Sequence, residues 1–338
     1  MRKEQELHED FKKDSNFENI LSVMNDALHQ AEGELLENSP ERFPTIHIIG
    51  APRSGTTLAV QLFAEGLNIG FINNLIAAFW KAPLFGIALS DQLLNNQYQS
   101  SFSSKFGRTD RIQEPHEFGY FWNYHLNYND FQQQDVRHEE NIDWDRLSTL
   151  LTNMCRSFHK PVIFKSFLLG FHASKMAKEL PKSCFIYIRR NIIDNAMSIL
   201  KMRKSYAGDV DKWVSIKPEQ YSYLKDQDRY VQAVGQVLFM EHEYFKQMEE
   251  IPEKNKLIID YTDLCGQPGN ALYEVHQLIG NHYKEESDVP FENRKRLEIS
   301  RYERNSTEAE KLKRAERFLI SEFTELEYLM ESRNKTSI

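Results

Sequence analysis

The chain is short of several things that would declare a class. Three cysteines occur among 338 residues, Cys155, Cys184 and Cys265. They are far apart and odd in number, which excludes a disulfide framework and metal-ligand spacing and reads as free thiols of a reducing compartment. No run is apolar and long enough to span a bilayer. The most apolar stretch, Leu75 to Leu89, is broken by Lys81 and Pro83 and reads as buried helix or as a lipid-like acceptor pocket. Positive charge is not in excess: 42 Lys and Arg stand against 50 Asp and Glu, a net charge of -8. That balance excludes the broad basic face of a general nucleic-acid binder but leaves room for a local basic pocket. The start, MRKEQELHEDFKKDSNFEN, has no apolar core, so no signal peptide is read and a cytoplasmic location is expected. Asn305 and Asn334 match glycosylation acceptors, and without a secretory signal both are taken as chance.

No repeat, low-complexity tract or Gly/Ser/Pro-rich linker divides the chain, so residues 1–338 read as one domain. Ser15 to Glu18, SNFE, has capping-box spacing, and Phe17, Ile20, Leu21, Met24 and Leu28 follow at helical intervals. Residues 1–42 thus form a helical extension packed on the main domain. Four β-rich runs follow: Thr45 to Gly50, Pro161 to Ser166, Cys184 to Arg190 and Lys256 to Tyr261. Each precedes a helical pattern, which implies an α/β fold with a parallel sheet covered by helices on both faces. Ligands of such sheets sit beyond the carboxyl ends of the strands, so the loops at Gly50, Ser166, Arg190 and Tyr261 should converge. Two aromatic-rich helical stretches, about 70–160 and 203–250, are natural acceptor-binding insertions, and 306–332 reads as a terminal helix.

The most informative segment is IIGAPRSGTTL, Ile48 to Leu58. A buried strand turns at Gly50, Gly55 lets backbone approach a ligand closely, and a helix follows with Gly66 as a plausible C-cap. The helix start presents unpaired N–H groups at the positive end of a dipole, a geometry that binds phosphate or sulfate. Thr56 and Thr57 add hydroxyls. Gly50 and Gly55 have the separation of a nucleoside-triphosphate loop, but Thr56 stands where that loop carries lysine. Arg53 is the only strong cation here, so the loop suits a phosphate held without a metal.

GAPRSGTTL resembles the 5′-phosphosulfate loop of sulfotransferases that use 3′-phosphoadenosine 5′-phosphosulfate (PAPS). Arginine in place of the usual lysine is similar to the carbohydrate-type and bacterial members. The resemblance implies a three-layer P-loop fold in which Arg53, Ser54, Gly55, Thr56, Thr57 and Leu58 hold the 5′-phosphate and sulfuryl oxygens. It also implies a second site, a strand ending in Arg and a Ser eight residues on. FIYIRRNIIDNAMSIL fits, with Arg190 at the strand end, Asn191 as N-cap, Asp194 at the third helical position and Ser198 in the helix. The family gives Arg190 and Ser198 to the 3′-phosphate. Arg189 reads as a solvated neighbour or a second cation. Leu257 to Gly280 resembles the family's strand, Y-E-D-L, helix segment, with Thr262 in place of Glu. Tyr261 would then lie against the adenine, or else be a core tyrosine. The C-terminal R-x-G-x-x-G-x-W-K signature of cytosolic members is absent, and Arg301 or Arg304 is the nearest substitute.

Sulfuryl transfer needs in-line oxygens, offset charge and a base for the acceptor proton. Arg53 and Lys165 supply charge. RIQEPHEFGYFW, Arg111 to Trp122, resembles the P-x-E segment of carbohydrate-type and bacterial members and points to Glu117 as base, then His116, then Glu114. The reading is a PAPS-dependent sulfotransferase acting on a hydroxyl of a carbohydrate, lipid or small molecule, with no metal, nucleic acid or membrane span. The alternatives are an ATP-using P-loop phosphotransferase, disfavoured by Thr56 and the Arg190–Ser198 pair, and a non-catalytic nucleotide-binding protein.

Overall fold

The structure is a computed structural model describing residues 11–94, 98–129, 132–134, 136–284, 296–303 and 305–335. In chain order the elements are α1 (Ser15–Leu35), β1 (Thr45–Ile49), α2 (Thr56–Gly66), β2 (Gly70–Phe71), α3 (Asn74–Ala77), α4 (Pro83–Leu93), α5 (Gly119–His125) and α6 (Trp144–Phe158). There follow β3 (Val162–Lys165), α7 (Phe167–Gly170), α8 (Ala173–Glu179), β4 (Cys184–Arg189), α9 (Ile192–Ala207), α10 (Tyr221–Leu224) and α11 (Arg229–Glu249). The chain closes with β5 (Lys256–Asp260), α12 (Tyr261–Gly266), α13 (Pro268–Gly280), α14 (Thr307–Glu322) and α15 (Thr324–Lys335).

The five strands form one parallel sheet in the order β2-β3-β1-β4-β5. The β-branched runs of β1, β3 and β4 are buried along their whole length, as strands covered on both faces must be. On one face Ile46, Ile48 and Ile186 pack against α2 and α13 through Val60, Phe63 and Leu272. On the other, Phe164, Phe185 and Tyr187 meet α6 and α8 through Leu151, Met154 and Met176. After β1 the chain builds outward to β2 and β3, then crosses back to lay β4 on the other side of β1. That reversal opens a crevice at the carboxyl ends of β1 and β4, where ligands of open α/β sheets sit.

Some local expectations are corrected. The N-cap of α1 is Asp14, not Ser15: its carboxylate accepts from the Asn16 and Phe17 N–H groups at 2.9 and 3.3 Å. α1 docks through Leu21, packed on the core, and through buried Asn25 and Glu32, while Phe17 and Ile20 are exposed. Asn25 donates to the carbonyls of Leu21 and Ala78 and accepts from the Lys81 N–H, each at 2.8 Å. Gly66 ends α2 inside the helix and Leu67 caps it; Gly66 is required by Leu272, which would lie 2.4 Å from an added Cβ. The two-residue strand β2 falls within 70–160, where no β-rich run is visible. The terminal helix is two helices, α14 and α15, separated at Phe323. Among the described residues no helix is long and apolar enough to cross a membrane. All three cysteines are free and buried.

Candidate functional site: two joined anion cradles

The loop from β1 to α2 is held in a conformation that side chains rarely adopt. Arg53 has φ 72°, in the left-handed region. Its carbonyl is fixed from across the crevice by Arg190 Nη1 at 2.8 Å. Asn195 of α9, with its amide nitrogen turned to the loop as its surroundings require, donates to the same carbonyl at 3.1 Å and to Pro52 O at 2.8 Å. Gly55, at φ 108°, is the N-cap of α2 and brings no side-chain cap. A Cβ there would stand 2.5 Å from Tyr261 Cδ2, so the tyrosine ring closes one side of the loop. The first backbone bond of α2 runs from the Ala59 N–H to Gly55 O at 3.0 Å. The N–H groups of Thr56, Thr57 and Leu58 therefore have no acceptor within the helix, at the positive end of its dipole. Ser54 Oγ is fully enclosed without a partner and faces Gly50, beneath the loop.

The second cradle meets the first. β4 ends at Arg189, and Asn191 caps α9 by accepting from the Ile193 and Asp194 N–H groups at 3.1 Å. Between them Arg190 lies buried, with its guanidinium 4.5 Å from the centre of the Tyr261 ring. It donates to Arg53 O and to Ser300 O, the latter at 2.5 Å, and its Nε has no partner. Arg53 turns its own guanidinium to α9, where Nε donates to Ser198 Oγ at 3.2 Å. Arg53 thus links Arg190 to Ser198. Burial first, then the charge of Arg190, lowers the Arg53 pKa from its ordinary value. Among the described residues neither arginine forms an ion pair with a carboxylate, in a chain of net charge -8. Arg190, buried, and Arg53, half-buried, thus stand unpaired beside a bare helix N-terminus, which makes a site for a polyanion.

A third cluster stands at the other end of the loop. Lys165, at the end of β3, donates to Thr57 Oγ1 at 2.9 Å and pairs with Glu117 Oε2 at 3.3 Å. The lysine side chain is 6% exposed and the glutamate 31%, so the carboxylate faces the opening. His116, beside this pair in sequence, is exposed. Its Nδ1 accepts from the Phe118 N–H at 2.8 Å, holding the start of α5. Its surface is open on one side, yet desolvation of the ring, then the charges of Lys13, Lys165 and Arg108, push its pKa down to about 4.

The remaining sequence candidates fall elsewhere. Glu114 is fully buried: Oε2 accepts from Gln61 Nε2 at 3.0 Å and the Tyr98 hydroxyl at 2.8 Å, and Oε1 from the Ser101 N–H at 2.7 Å. Burial opposes its ionisation, but those donors outweigh it and hold the pKa below the ordinary value. It fastens the 98–103 segment to α2. Arg189 is not solvated: Asp260 grips it through two bonds of 2.8 Å. Tyr261 is 7% exposed, and its hydroxyl accepts from the Ser300 N–H at 3.3 Å. Arg301 is exposed, and Arg304 lies outside the described residues. Asn195 escaped sequence reasoning, because an asparagine inside a helix carries no sign of the loop it holds. No group of three His, Cys, Asp or Glu suited to a metal occurs among the described residues.

Comparison with known proteins gives the family and the fold. Residues 44–285 match the model described as the sulfotransferase family. No curated protein matches. The fold is similar to that of sulfotransferase STF9 from Mycobacterium avium, at 12% identity and TM-score 0.52, covering 88% of this chain and 81% of that one. Weaker likenesses are to STF1 from Mycobacterium tuberculosis H37Rv (13% identity, TM-score 0.46, covering 80% and 74%) and to a sulfotransferase from Alicyclobacillus acidocaldarius (15%, 0.43, covering 85% and 96%). The family match spans the loop, both cradles and the Lys165–Glu117 pair, and on that ground the chain belongs to the sulfotransferase family.

Proposed function

We propose that the protein moves a sulfuryl group from PAPS to a hydroxyl of a carbohydrate, lipid or small molecule. The observation that carries this reading is the junction at Arg53, which ties the bare N-terminus of α2 to Arg190 and Ser198. The residues fit a doubly phosphorylated adenosine. The N–H groups of Thr56, Thr57 and Leu58, the Thr56 and Thr57 hydroxyls and Arg53 would hold the 5′-phosphosulfate, with Gly55 giving backbone access and Ser54 supporting the turn from below. Arg190, with a donor to spare, and Ser198 would hold the 3′-phosphate. Tyr261 would border the adenine.

PAPS supplies the sulfuryl group: one S–O bond forms to the acceptor as the bond to the 5′-phosphate breaks, leaving 3′-phosphoadenosine 5′-phosphate (PAP). Glu117 takes the acceptor's proton. Lys165 holds Glu117 in place and sets positive charge beside Thr57, where charge must be offset. His116 supports the base by fixing the turn into α5. An ATP phosphotransferase is the weaker reading, because Thr56 occupies the lysine position of its loop. The stretches 70–160 and 203–250 of a single domain would shape the acceptor side, and three buried free thiols suit a reducing cytoplasm.

A transfer assay with labelled PAPS against glycans, lipids and phenols tests the reading. Glu117→Gln should lower turnover roughly 10²–10⁴-fold, the usual contribution of a general base. PAP affinity should survive that change. Full activity in Glu117→Gln would remove Glu117 from the mechanism.

A further inference from the structure

Resting on the sulfuryl-transfer reading, we propose that Phe11 is a positioning residue that clasps the turn Lys105–Arg108 over the reacting centre and so keeps water from the sulfuryl group. The turn is closed by two backbone bonds, Lys105 N–H to Arg108 O at 2.8 Å and Arg108 N–H to Lys105 O at 3.2 Å. Its central residues Phe106 and Gly107 have φ 54° and 91°, the pattern of a type I′ turn. The turn is aimed at the candidate site. A Cβ on Gly107 would lie 3.5 Å from Thr57 Oγ1 and 3.7 Å from Lys165 Nζ, the lysine that pairs with Glu117. Phe106 covers Arg53, whose guanidinium is 5.3 Å from the ring centre.

Within itself the turn has little to keep it there, since a hairpin of this size is marginal alone. The N-terminal segment supplies the rest. Phe11 is 3% exposed and stacks on Tyr206 of α9, with centroids 4.0 Å apart and planes at 24°. Lys105 and Arg108 lie 4.7 and 5.6 Å from its ring centre, and Arg108 Nη1 donates to its carbonyl at 3.2 Å. Both ends of the turn are therefore held by one ring. Two residues on, Lys13 donates to the Tyr120 hydroxyl of α5 at 2.7 Å, so the segment runs from α9 to the helix that follows Glu117.

Removing the ring should let the turn lift and admit water. Water's oxygen would then bond to sulfur as the S–O bond to the 5′-phosphate breaks, giving PAP and sulfate, with both of water's protons passing to solvent. In Phe11→Ala the ratio of donor hydrolysis to transfer should rise about tenfold or more, the scale expected of a small misplacement at a reacting centre. PAP affinity should stay near that of the unaltered protein, and Phe11→Trp should restore the ratio. Limited trypsin cleavage reads the clasp without nucleotide: cutting at Lys105 and Arg108 should quicken in Phe11→Ala, be restored in Phe11→Trp, and leave Lys175 and Lys178 of α8 unaffected. An unchanged ratio with unchanged cleavage overturns the proposal, as does uniformly faster cleavage, which would make Phe11 a general packing residue. If the unaltered protein neither binds PAP nor transfers sulfate, the functional reading fails instead, and the cleavage pattern still decides the clasp.

Discussion

Gly55→Ala puts the tightest contact of the candidate site under test. The added methyl would stand 2.5 Å from Tyr261 Cδ2 and 2.9 Å from Cε2, closer than carbon atoms approach. Neither side can yield easily: the ring lies beneath Arg190 and its hydroxyl takes the Ser300 N–H, while the Arg53 carbonyl, two residues before Gly55, is held by Arg190. Overpacking of this kind costs about 1–3 kcal/mol. The backbone adds to it, because φ 108° suits glycine and a left-handed alanine costs roughly 1–2 kcal/mol. The sum, about 2–5 kcal/mol, should appear in urea denaturation as a lower midpoint at unchanged slope. The two contributions can be separated. In a Tyr261→Ala background the contact with the ring is gone and only the backbone cost remains. A double-mutant cycle should then give about 1–3 kcal/mol of coupling between the positions. Gly55→Ala within about 0.5 kcal/mol of the original, or a cycle without coupling, would refute the claim that the ring closes on the loop.

Further expectations follow from buried carboxyls. Burial raises the Glu32 pKa from 4.5 to about 7, against hydrogen bonds from the Leu84 and Phe85 backbones and the charge of Arg146. Between those values the folded chain keeps a proton that the unfolded chain has lost, so stability falls as pH rises through that window. Glu32→Gln, neutral throughout, should flatten the change in Tm between pH 5 and pH 8; an unaltered slope would show that Glu32 does not titrate there. Glu114→Gln exchanges one acceptor oxygen for a donor facing Gln61, Tyr98 or Ser101 and should cost about 1–3 kcal/mol of stability. Turnover of the folded fraction should survive it, unlike Glu117→Gln; loss of turnover at intact stability would return Glu114 to the candidate bases.

What could be read from the sequence was what lies close together along the chain. The isoleucine-rich β1, β3 and β4 announce themselves, and the loop between Gly50 and Gly55 carries its own anion-binding geometry. Arg190 and Lys165 were placed from their positions at strand ends, since parallel strands deliver their carboxyl ends to one edge. Long-range contacts left no local trace. α1 shows apolar periodicity at Phe17 and Ile20, yet leaves both exposed and buries Asn25 and Glu32, which bond backbone groups of the segment from Ala78 to Leu84. Arg189 looks like a surface cation until β5 lays Asp260 beside it. The turn at Phe106-Gly107 is not read from the sequence, and Phe11, which it contacts, lies far away along the chain.

The central claim is that the two cradles grasp one ligand, with Arg190 and Ser198 reserved for a phosphate on the 3′ side of an adenosine. Calorimetric binding of PAP against adenosine 5′-monophosphate, which lacks only the 3′-phosphate, tests it most directly, with Arg190→Ala as the companion variant. A charge-assisted contact of this kind contributes about 1.5–3 kcal/mol, so PAP should bind at least tenfold more tightly, and Arg190→Ala should erase most of that preference. Equal affinity for the two nucleotides, or a preference that outlasts the loss of Arg190, would contradict the account.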